Sequence, residues 1–287
     1  MDYYIKLVPQ NNNYFWYVIE TFNRLMRSAI KGPDCTNLNN CDGACCSIKI
    51  DVPKVLAEEY IKRNYATKDD FIRSNVFAFE LRFDNKTGKC FLFDKELNGC
   101  KVHRSGIKPP QCWIYPTNFS NPKKDLISCK KLSGWKIINP LNALKAEKLL
   151  EKYNFLCKVE AKKEIKELKK RLGNEFLLEN SEILKLSIKA TAPSRLGGII
   201  DKWDSLDILL AEGFSLQMKK FCLKYNKECH HLPNSFIECM SICNIIADQL
   251  ILYLQLNLPN FIKQEGADTN GEYPLFKLFK SSKILNI

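Results

Sequence analysis

The sequence predicts an α+β cysteine-cluster domain with small antiparallel strands over residues 1–136, followed by an all-α helical domain over residues 137–287. Eight of the 13 cysteines fall in the first part. Short apolar segments separated by turn-forming residues follow one another there, which is typical of small strands. After Asn139-Pro140 the apolar residues instead recur with the period of a helix. A chain of 287 residues is long enough for two such domains.

The elements of the first domain can be assigned in order along the chain. A helix is predicted over residues 14–30, and it ends before the stop signal Gly32-Pro33. Pro53 can begin the next helix, V-L-A-E-E-Y-I-K-R, because its fixed φ suits a first helical turn. Strands are predicted at residues 47–52, 76–83 and 89–93, the last two joined by the turn D-N-K-T-G.

The second domain is predicted to be helical. A long helix over residues 141–172 is closed by Gly173. The basic run at residues 162–171 is interleaved with Glu164 and Glu167, which indicates a solvated helix face and not a nucleic-acid-binding surface. Further helices are predicted over residues 180–190, 203–226, 235–257 and 272–285.

The cysteine count argues against a disulfide scaffold, because such scaffolds are small and secreted and have an even number of cysteines, whereas this chain has 13. The start M-D-Y-Y-I-K-L-V-P lacks the basic and apolar regions of a secretory signal. The apolar stretch from Phe236 to Leu258 is interrupted by polar residues, including Glu238 and Asp248. We therefore expect no membrane span and a cytoplasmic location, where thiols stay reduced.

Seven cysteines form the candidate metal site, because thiolates at short spacing are typical of zinc and iron–sulfur sites. The adjacent side chains of Cys45 and Cys46 are expected to point in different directions, so the pair suits two sites, or one ligand and one supporting thiol. This pair and the surplus of thiols favour an iron–sulfur cluster, with two zinc ions as the competing interpretation. The seven are Cys35, Cys41, Cys45, Cys46, Cys90, Cys100 and Cys112.

The net charge of +12 has two interpretations. Basic neighbours can balance bound thiolates and lower the pKa of cysteines, or they can form a nucleic-acid footprint. The basic residues come as scattered doublets such as Lys123-Lys124 and Lys130-Lys131, not as one stripe. Charge compensation is therefore favoured, and nucleic acid is the less favoured partner.

Two weaker signals accompany the seven cysteines. His103, three residues after Cys100, could complete a Cys₃His site or be a surface histidine beside Arg104. A second group lies near the C-terminus, where Cys239 and Cys243 are predicted on an apolar helix, so core positions are favoured over a metal site. This group comprises Cys222, Cys229, His230, His231, Cys239 and Cys243.

Four motifs occur in order over residues 35–116: C-D-G-A-C-C, G-K-C-F-L-F-D, G-C-K-V-H and K-P-P-Q-C-W-I-Y-P. This part of the chain resembles the YkgJ-type CxxCxxCC family of zinc- or iron-chelating cysteine-cluster proteins. The spacing from Cys35 to Cys41 departs from the family pattern, so Cys35 is an additional candidate, as is Cys129. The resemblance implies the ligands Cys41, Cys45, Cys46, Cys90, Cys100 and Cys112.

The expected function is therefore metal binding, through an iron–sulfur cluster with [4Fe–4S] favoured, or through zinc. The helical half is expected to dock a protein partner. The wider group is also similar to flagellin lysine-N-methylases, which makes an iron–sulfur-dependent lysine methylase-like enzyme one alternative. A zinc-containing nucleic-acid-binding module is another. The sequence contains no glycine-rich loop of the Rossmann methyl-donor type, which disfavours the enzyme.

Overall fold

The computed structural model of the protein describes residues 12–37, 41–113, 134–173, 179–211, 216–230 and 236–281. Contacts divide the chain into two compact units. Unit 1 comprises Met1–Phe71 and Val76–Ala161, and unit 2 comprises Ile72–Asn75 and Lys162–Ile287. The boundary between Ala161 and Lys162 thus falls within the helix Pro140–Leu172, whereas the composition changes earlier, near Asn139-Pro140. The domain division at residue 136 rests on composition and stays a prediction.

Unit 1 contains α-helices and short strands. Helix α1 (Asn12–Ala29) and helix α2 (Lys54–Lys62) begin and end close to their predicted positions, and α3 (Pro140–Leu172) matches the predicted long helix. Strand β1 (Ile30–Lys31) pairs with β9 (Lys136–Ile137), and β2 (Asp51–Val52) pairs with β4 (Phe79–Leu81). Strand β3 (Phe71–Arg73) contains the boundary between the units, which follows Phe71. The buried face of α1 holds Phe15, Val18, Ile19, Phe22 and Met26 at helical spacing.

Two consecutive hairpins of the same design follow, and we call them the tandem hairpins. The first joins β5 (Phe83–Asp84) to β6 (Lys89–Cys90), and the second joins β7 (Phe93–Asp94) to β8 (Gly99–Cys100). Each begins with Phe-Asp and places a cysteine opposite the phenylalanine, as the pairs Phe83↔Cys90 and Phe93↔Cys100 show. The strand predicted over residues 89–93 is instead divided between the two hairpins.

The turns of the tandem hairpins are stabilised in the same way. The Asp84 carboxylate accepts a hydrogen bond from the Lys86 backbone N–H, and Asp94 accepts one from Glu96, each at 2.9 Å. The last turn residue has a positive φ in both, 63° at Gly88 and 42° at Asn98. The sequence repeat behind this is F-D-x₅-C. The hydrophobic period of the sequence does not indicate this repeat, because each strand has only two residues.

Unit 2 combines helices with one small sheet. The predicted fold class is confirmed: small antiparallel sheets lie in the first part and helices in the second half. The second half is nevertheless not helical throughout, since three antiparallel strands pair in the order β11-β10-β12. The elements are α4 (Glu179–Lys189), β10 (Leu196–Asp201), β11 (Leu206–Leu210), α5 (Leu216–Tyr225), α6 (Asn244–Gln264), β12 (Glu272–Pro274) and α7 (Leu275–Ser281).

The helices predicted over 203–226 and 272–285 are therefore wrong in their first parts, which contain the strands β11 and β12. The run L-D-I-L-L fits a partly buried strand as well as a helix, because a short apolar run does not define its period. Gly198 of β10 allows a close strand approach, since a Cβ there would lie 2.5 Å from the Tyr273 carbonyl oxygen. Trp203, with φ 69°, lies in the turn between β10 and β11.

The core of unit 2 forms around α6, whose Leu250, Leu254 and Leu258 are fully buried. The rings of Phe221 on α5 and Phe279 on α7 stack with centroids 5.3 Å apart. No helix among the described residues has the length and apolar character required to cross a membrane.

A buried ion cluster lies in unit 2 and consists of Arg73, Arg171, Glu164 and Asp201. Arg73 Nε lies 2.8 Å from Asp201 Oδ2, and Arg73 Nη1 lies 3.1 Å from Glu164 Oε2. Burial opposes the Arg73 charge, but Asp201 and Glu164 outweigh it, so the pKa of Arg73 is raised. Because Glu164 is buried, the basic run at residues 162–171 is not a solvated face along its whole length.

Candidate metal centre

Seven cysteines from four segments of unit 1 line one cavity of about 510 Å³, which we call the thiol cavity. They are the seven cysteines predicted from the sequence: Cys35, Cys41, Cys45, Cys46, Cys90, Cys100 and Cys112. None of the seven forms a disulfide with another cysteine that the structure describes. Among the described residues, however, no three His, Cys, Asp or Glu side chains meet closely enough to hold a single metal ion.

Gly43 fixes the cysteine loop to both tandem hairpins. Its φ of 71° reverses the chain just before the 3₁₀ helix Ala44–Cys46, and the Cys46 N–H donates to the Gly43 carbonyl at 2.8 Å. Lys89 Nζ of the first hairpin donates to the same carbonyl at 3.2 Å. The Phe93 ring of the second hairpin lies so close that a Cβ at Gly43 would be 2.3 Å from its Cε2 atom. Only glycine fits this turn without a displacement.

Asn98 clamps the cysteine loop from the turn of the second hairpin. Its side-chain Nδ2 donates to the Cys41 carbonyl at 2.6 Å and to the Thr36 carbonyl at 3.3 Å. Asn98 is buried, and asparagine is among the few residues other than glycine that tolerate its φ of 42°. One residue thus holds the loop that carries Cys41 beside the hairpin that carries Cys100.

Asn98→Gly is expected to lower the free energy of unfolding by about 1–3 kcal/mol, because two carbonyl oxygens lose their buried donor. Asn98→Ala should lower it by about 1 kcal/mol more, since alanine adds backbone strain at a positive φ. Urea unfolding of the three proteins measures both steps. A glycine variant as stable as the wild type would show that the clamp contributes nothing.

Asn23 of α1 positions the segment that carries Cys112. Its Nδ2 donates to the Lys108 carbonyl at 3.0 Å, and its Oδ1 accepts a hydrogen bond from Trp113 Nε1 at 3.0 Å. The Cys112 N–H donates to the Pro109 carbonyl at 2.9 Å. Cys112 is therefore presented by a turn that begins at Pro109.

Lys108 places a buried positive charge beside the thiols. Its side chain lines the thiol cavity, and its Nζ lies 4.2 Å from the centroid of the Trp113 ring. Burial raises the pKa of Cys100 and of Cys112, and the Lys108 charge opposes that increase. This arrangement is consistent with charge compensation as the role of the basic excess near the cysteines.

The adjacent thiols of Cys45 and Cys46 meet each other. Cys46 donates a hydrogen bond to the Cys45 sulfur, which is the main reason that the pKa of Cys45 falls to about 6. The same hydrogen bond is the main reason that the pKa of Cys46 is raised. The 3₁₀ turn thus brings both sulfurs to one cavity, an arrangement that fits one ligand with one supporting thiol better than two separate sites.

In metal-free protein, alkylation of Cys45 is expected to follow a titration centred near pH 6, because the thiolate is the reactive form and is lost below that pH. Cys90 should stay unreactive at neutral pH, since burial raises its pKa to about 12. Cys46→Ala removes the hydrogen-bond donor and should move the Cys45 midpoint toward the ordinary value of about 8.5.

Cys46→Ser is the matched control, because a hydroxyl can still donate to the Cys45 sulfur and should keep the midpoint low. Peptide mass spectrometry after timed alkylation at a series of pH values measures all three proteins. Equal midpoints in the alanine and serine variants would contradict the assigned cause.

His103 lies at the cavity lining with an exposed side chain. Its ring stacks on Trp113 with centroids 5.9 Å apart. Desolvation of the ring and then repulsion from Lys108, Arg27 and Arg104 lower the pKa of His103 to about 4. The imidazole is therefore neutral at pH 7, the form in which histidine can bind a metal.

Other predicted residues have different outcomes. Cys129 and His231 lie outside the described residues. Cys239 follows the 3₁₀ helix Phe236–Glu238, and Cys243 is the N-cap of α6. Cys243 is exposed, so the prediction that both are core residues of one apolar helix is wrong.

Of the four supporting residues, the sequence marks Gly43 and Asn98 as turn residues, and it does not mark Asn23 and Lys108. Gly43 and Asn98 left a signal, since glycine and asparagine are the residues that turns with a positive φ prefer. The sequence contains no such signal for Asn23 and Lys108, because their partners are distant in the chain.

Residues 34–136 match the model of one protein family, CxxCxxCC, whose description reads "Putative zinc- or iron-chelating domain". The matched range contains all seven cysteines of the thiol cavity. The family that the motifs resemble is thereby confirmed for this part of the chain. No curated protein and no solved structure matches the chain.

Proposed function

Starting from the family match at residues 34–136, we propose that the thiol cavity holds an iron–sulfur cluster of the [4Fe–4S] type. The observation that supports this most is the convergence of seven thiols from four segments on one cavity of about 510 Å³. The pool from which the ligands come is Cys41, Cys45, Cys46, Cys90, Cys100 and Cys112.

The number of thiols and the size of the cavity favour a cluster over a single zinc ion. One zinc ion takes four thiolates, and its Zn–S bonds of about 2.3 Å keep any two of them within about 4.6 Å of each other. Seven thiols line the cavity of about 510 Å³. A cluster distributes its thiolates over several iron atoms and suits a wider arrangement. Two zinc ions are the competing occupant, because seven thiols exceed the needs of one cluster.

The charges around the cavity fit a thiolate-bound centre. Each ligand thiolate adds a negative charge, and Lys101, Arg104 and the buried Lys108 line the cavity. These residues balance that charge, so the basic excess needs no nucleic acid to explain it. When bound, the cluster would supply one-electron redox chemistry or a redox-sensitive cross-link between the four segments.

The helical half is proposed to dock a protein partner. Within nine residues of unit 2, the exposed fractions of Ile237, Met240 and Ile245 are 69%, 86% and 54%, and exposed apolar groups of this kind often mark interaction sites. A reducing compartment such as the cytoplasm would keep the ligands as thiols. A photoreactive group at Met240 should trap a protein in cells, and no adduct would contradict the docking proposal.

Anaerobic purification followed by iron, labile sulfide and zinc analysis tests the cluster. The expected result is a coloured protein with iron and sulfide in equal amounts. Cys90→Ser should lose the iron, whereas Cys157→Ser, a change of a buried thiol of unit 1 outside the cavity, should keep it. Colourless protein with about two zinc ions per chain and no iron would replace the cluster with zinc.

A further inference from the structure

Four cysteines of unit 2 form a second group, which we call the C-terminal thiol cluster. They lie outside the family match at residues 34–136 and outside the thiol cavity. None of the four forms a disulfide with another described cysteine. They are Cys222, Cys229, Cys239 and Cys243.

Asn226 connects three members of the C-terminal thiol cluster. Its backbone N–H donates to the Cys222 carbonyl at 2.8 Å, and its carbonyl accepts the Cys229 N–H at 3.2 Å. Its side-chain Nδ2 contacts the Cys243 sulfur at 3.5 Å. The end of α5, the turn after it and the start of α6 therefore converge on one residue.

Cys239 lies between two buried residues, Phe236 and Ile242, which are 4% and 3% exposed. Cys243 directly follows the second of them. The Cys239 N–H donates to the Phe236 carbonyl at 3.3 Å. The spacing Cys239-x₃-Cys243 is that of two neighbouring ligands in structural zinc sites, C-x₂₋₄-C.

The four sulfurs lie within electrostatic range of one another. Burial and then the charges of Cys243, Cys229 and Cys239 raise the pKa of Cys222 to about 12. Burial and then Cys229 and Cys243 raise the pKa of Cys239. Four thiols that would repel each other as thiolates are the arrangement that a bound cation stabilises.

Exposure varies across the cluster in a way that a core cysteine group does not show. Cys222 is buried, Cys229 and Cys239 are half-buried, and Cys243 is exposed. Among the described residues no three of these side chains yet meet at one ion position. Binding would therefore draw the sulfurs together, and the exposed Cys243 has the most freedom to rotate inward.

We propose that the C-terminal thiol cluster binds one Zn²⁺ through Cys222, Cys229, Cys239 and Cys243. Four thiolates are the ligand set of a closed, structural zinc site, with no position left for a substrate. The four thiols would release their protons to solvent on binding. The ion would tie the end of α5 to the start of α6.

Alkylation of the wild-type full chain tests the site without any substitution. Saturating Zn²⁺ should slow iodoacetamide modification of Cys239 and Cys243 about tenfold or more, and a chelator should restore it, because a zinc-bound thiolate is a weaker nucleophile and is less accessible. Peptide mass spectrometry reports each cysteine separately. Equal rates with zinc and with chelator would overturn the proposal.

The double variant Cys239→Ser/Cys243→Ser separates this site from the thiol cavity. It should lose about one zinc per chain and keep whatever metal the cavity holds. Cys157→Ser is the control and should lose neither. Unchanged zinc in the double variant would overturn the C-terminal site, whereas loss of iron only from Cys90→Ser concerns the cavity alone.

Discussion

Gly43→Ala is expected to lower the stability of unit 1 by about 2–5 kcal/mol and to reduce the metal content of the purified protein. About 1–2 kcal/mol comes from holding alanine at the φ of 71°. About 1–3 kcal/mol more comes from displacing the Phe93 ring, which a Cβ would approach to 2.3 Å. Since Phe93 pairs with Cys100 across the second hairpin, the displacement reaches a candidate ligand.

Gly88→Ala is the matched control for this prediction. Gly88 has a similar φ of 63°, but a Cβ there would meet nothing within 4 Å. It should cost only the backbone strain of about 1–2 kcal/mol and leave the metal content unchanged. Urea unfolding and metal analysis of the two variants isolate the contact with Phe93. Equal losses in both would show that the close packing of Gly43 on Phe93 has no role.

Arg73→Met is expected to destabilise unit 2 by about 3–5 kcal/mol, because it removes the cation that contacts both buried carboxylates and leaves Asp201 with the more distant Arg171. The exposed side-chain fractions of Arg73, Glu164 and Asp201 are only 2%, 10% and 4%. Neutralising one of the two buried carboxylates should therefore reduce this loss of stability. Arg73→Met/Glu164→Gln is expected to recover part of the lost stability, as measured by urea unfolding followed by circular dichroism.

The exposed pair of Lys170 and Glu167 in the same unit provides the comparison. Their nitrogen–oxygen distance is 2.7 Å, yet their side chains are 63% and 56% exposed. Lys170→Met should change the free energy of unfolding by no more than about 0.5 kcal/mol. If Arg73→Met cost as little as Lys170→Met, the buried ion cluster would not be a stabilising element of unit 2.

The helices were the part of the fold that the sequence predicted best. The boundaries of α1, α2 and α3 carry explicit signals, such as Gly32-Pro33 after the first helix and Pro53 before the second. The small sheets were harder, because strands of two or three residues contain no full period. The sheet of unit 2 was missed since β11 is followed closely by α5, and both are rich in leucine.

The candidate site likewise has a part that the sequence predicts and a part that it does not. All seven cavity-lining cysteines were identified from type and spacing alone, while their status as metal ligands stays a prediction. The contact between Cys45 and Cys46 was missed because it depends on the 3₁₀ turn after Gly43 and not on sequence distance. The Asn98 clamp and the Lys108 charge depend on tertiary contacts, which no local pattern contains.

The two turns of the tandem hairpins offer different opportunities for protein engineering. The second turn is unsuitable for modification, because Asn98 and Leu97 line the thiol cavity. Residues 85–88 of the first turn do not line that cavity, and Lys86 is exposed. A fluorophore or spin label attached at Lys86 would therefore be four residues from Cys90 without disturbing the site, and would report the arrival of a quenching or paramagnetic centre in real time.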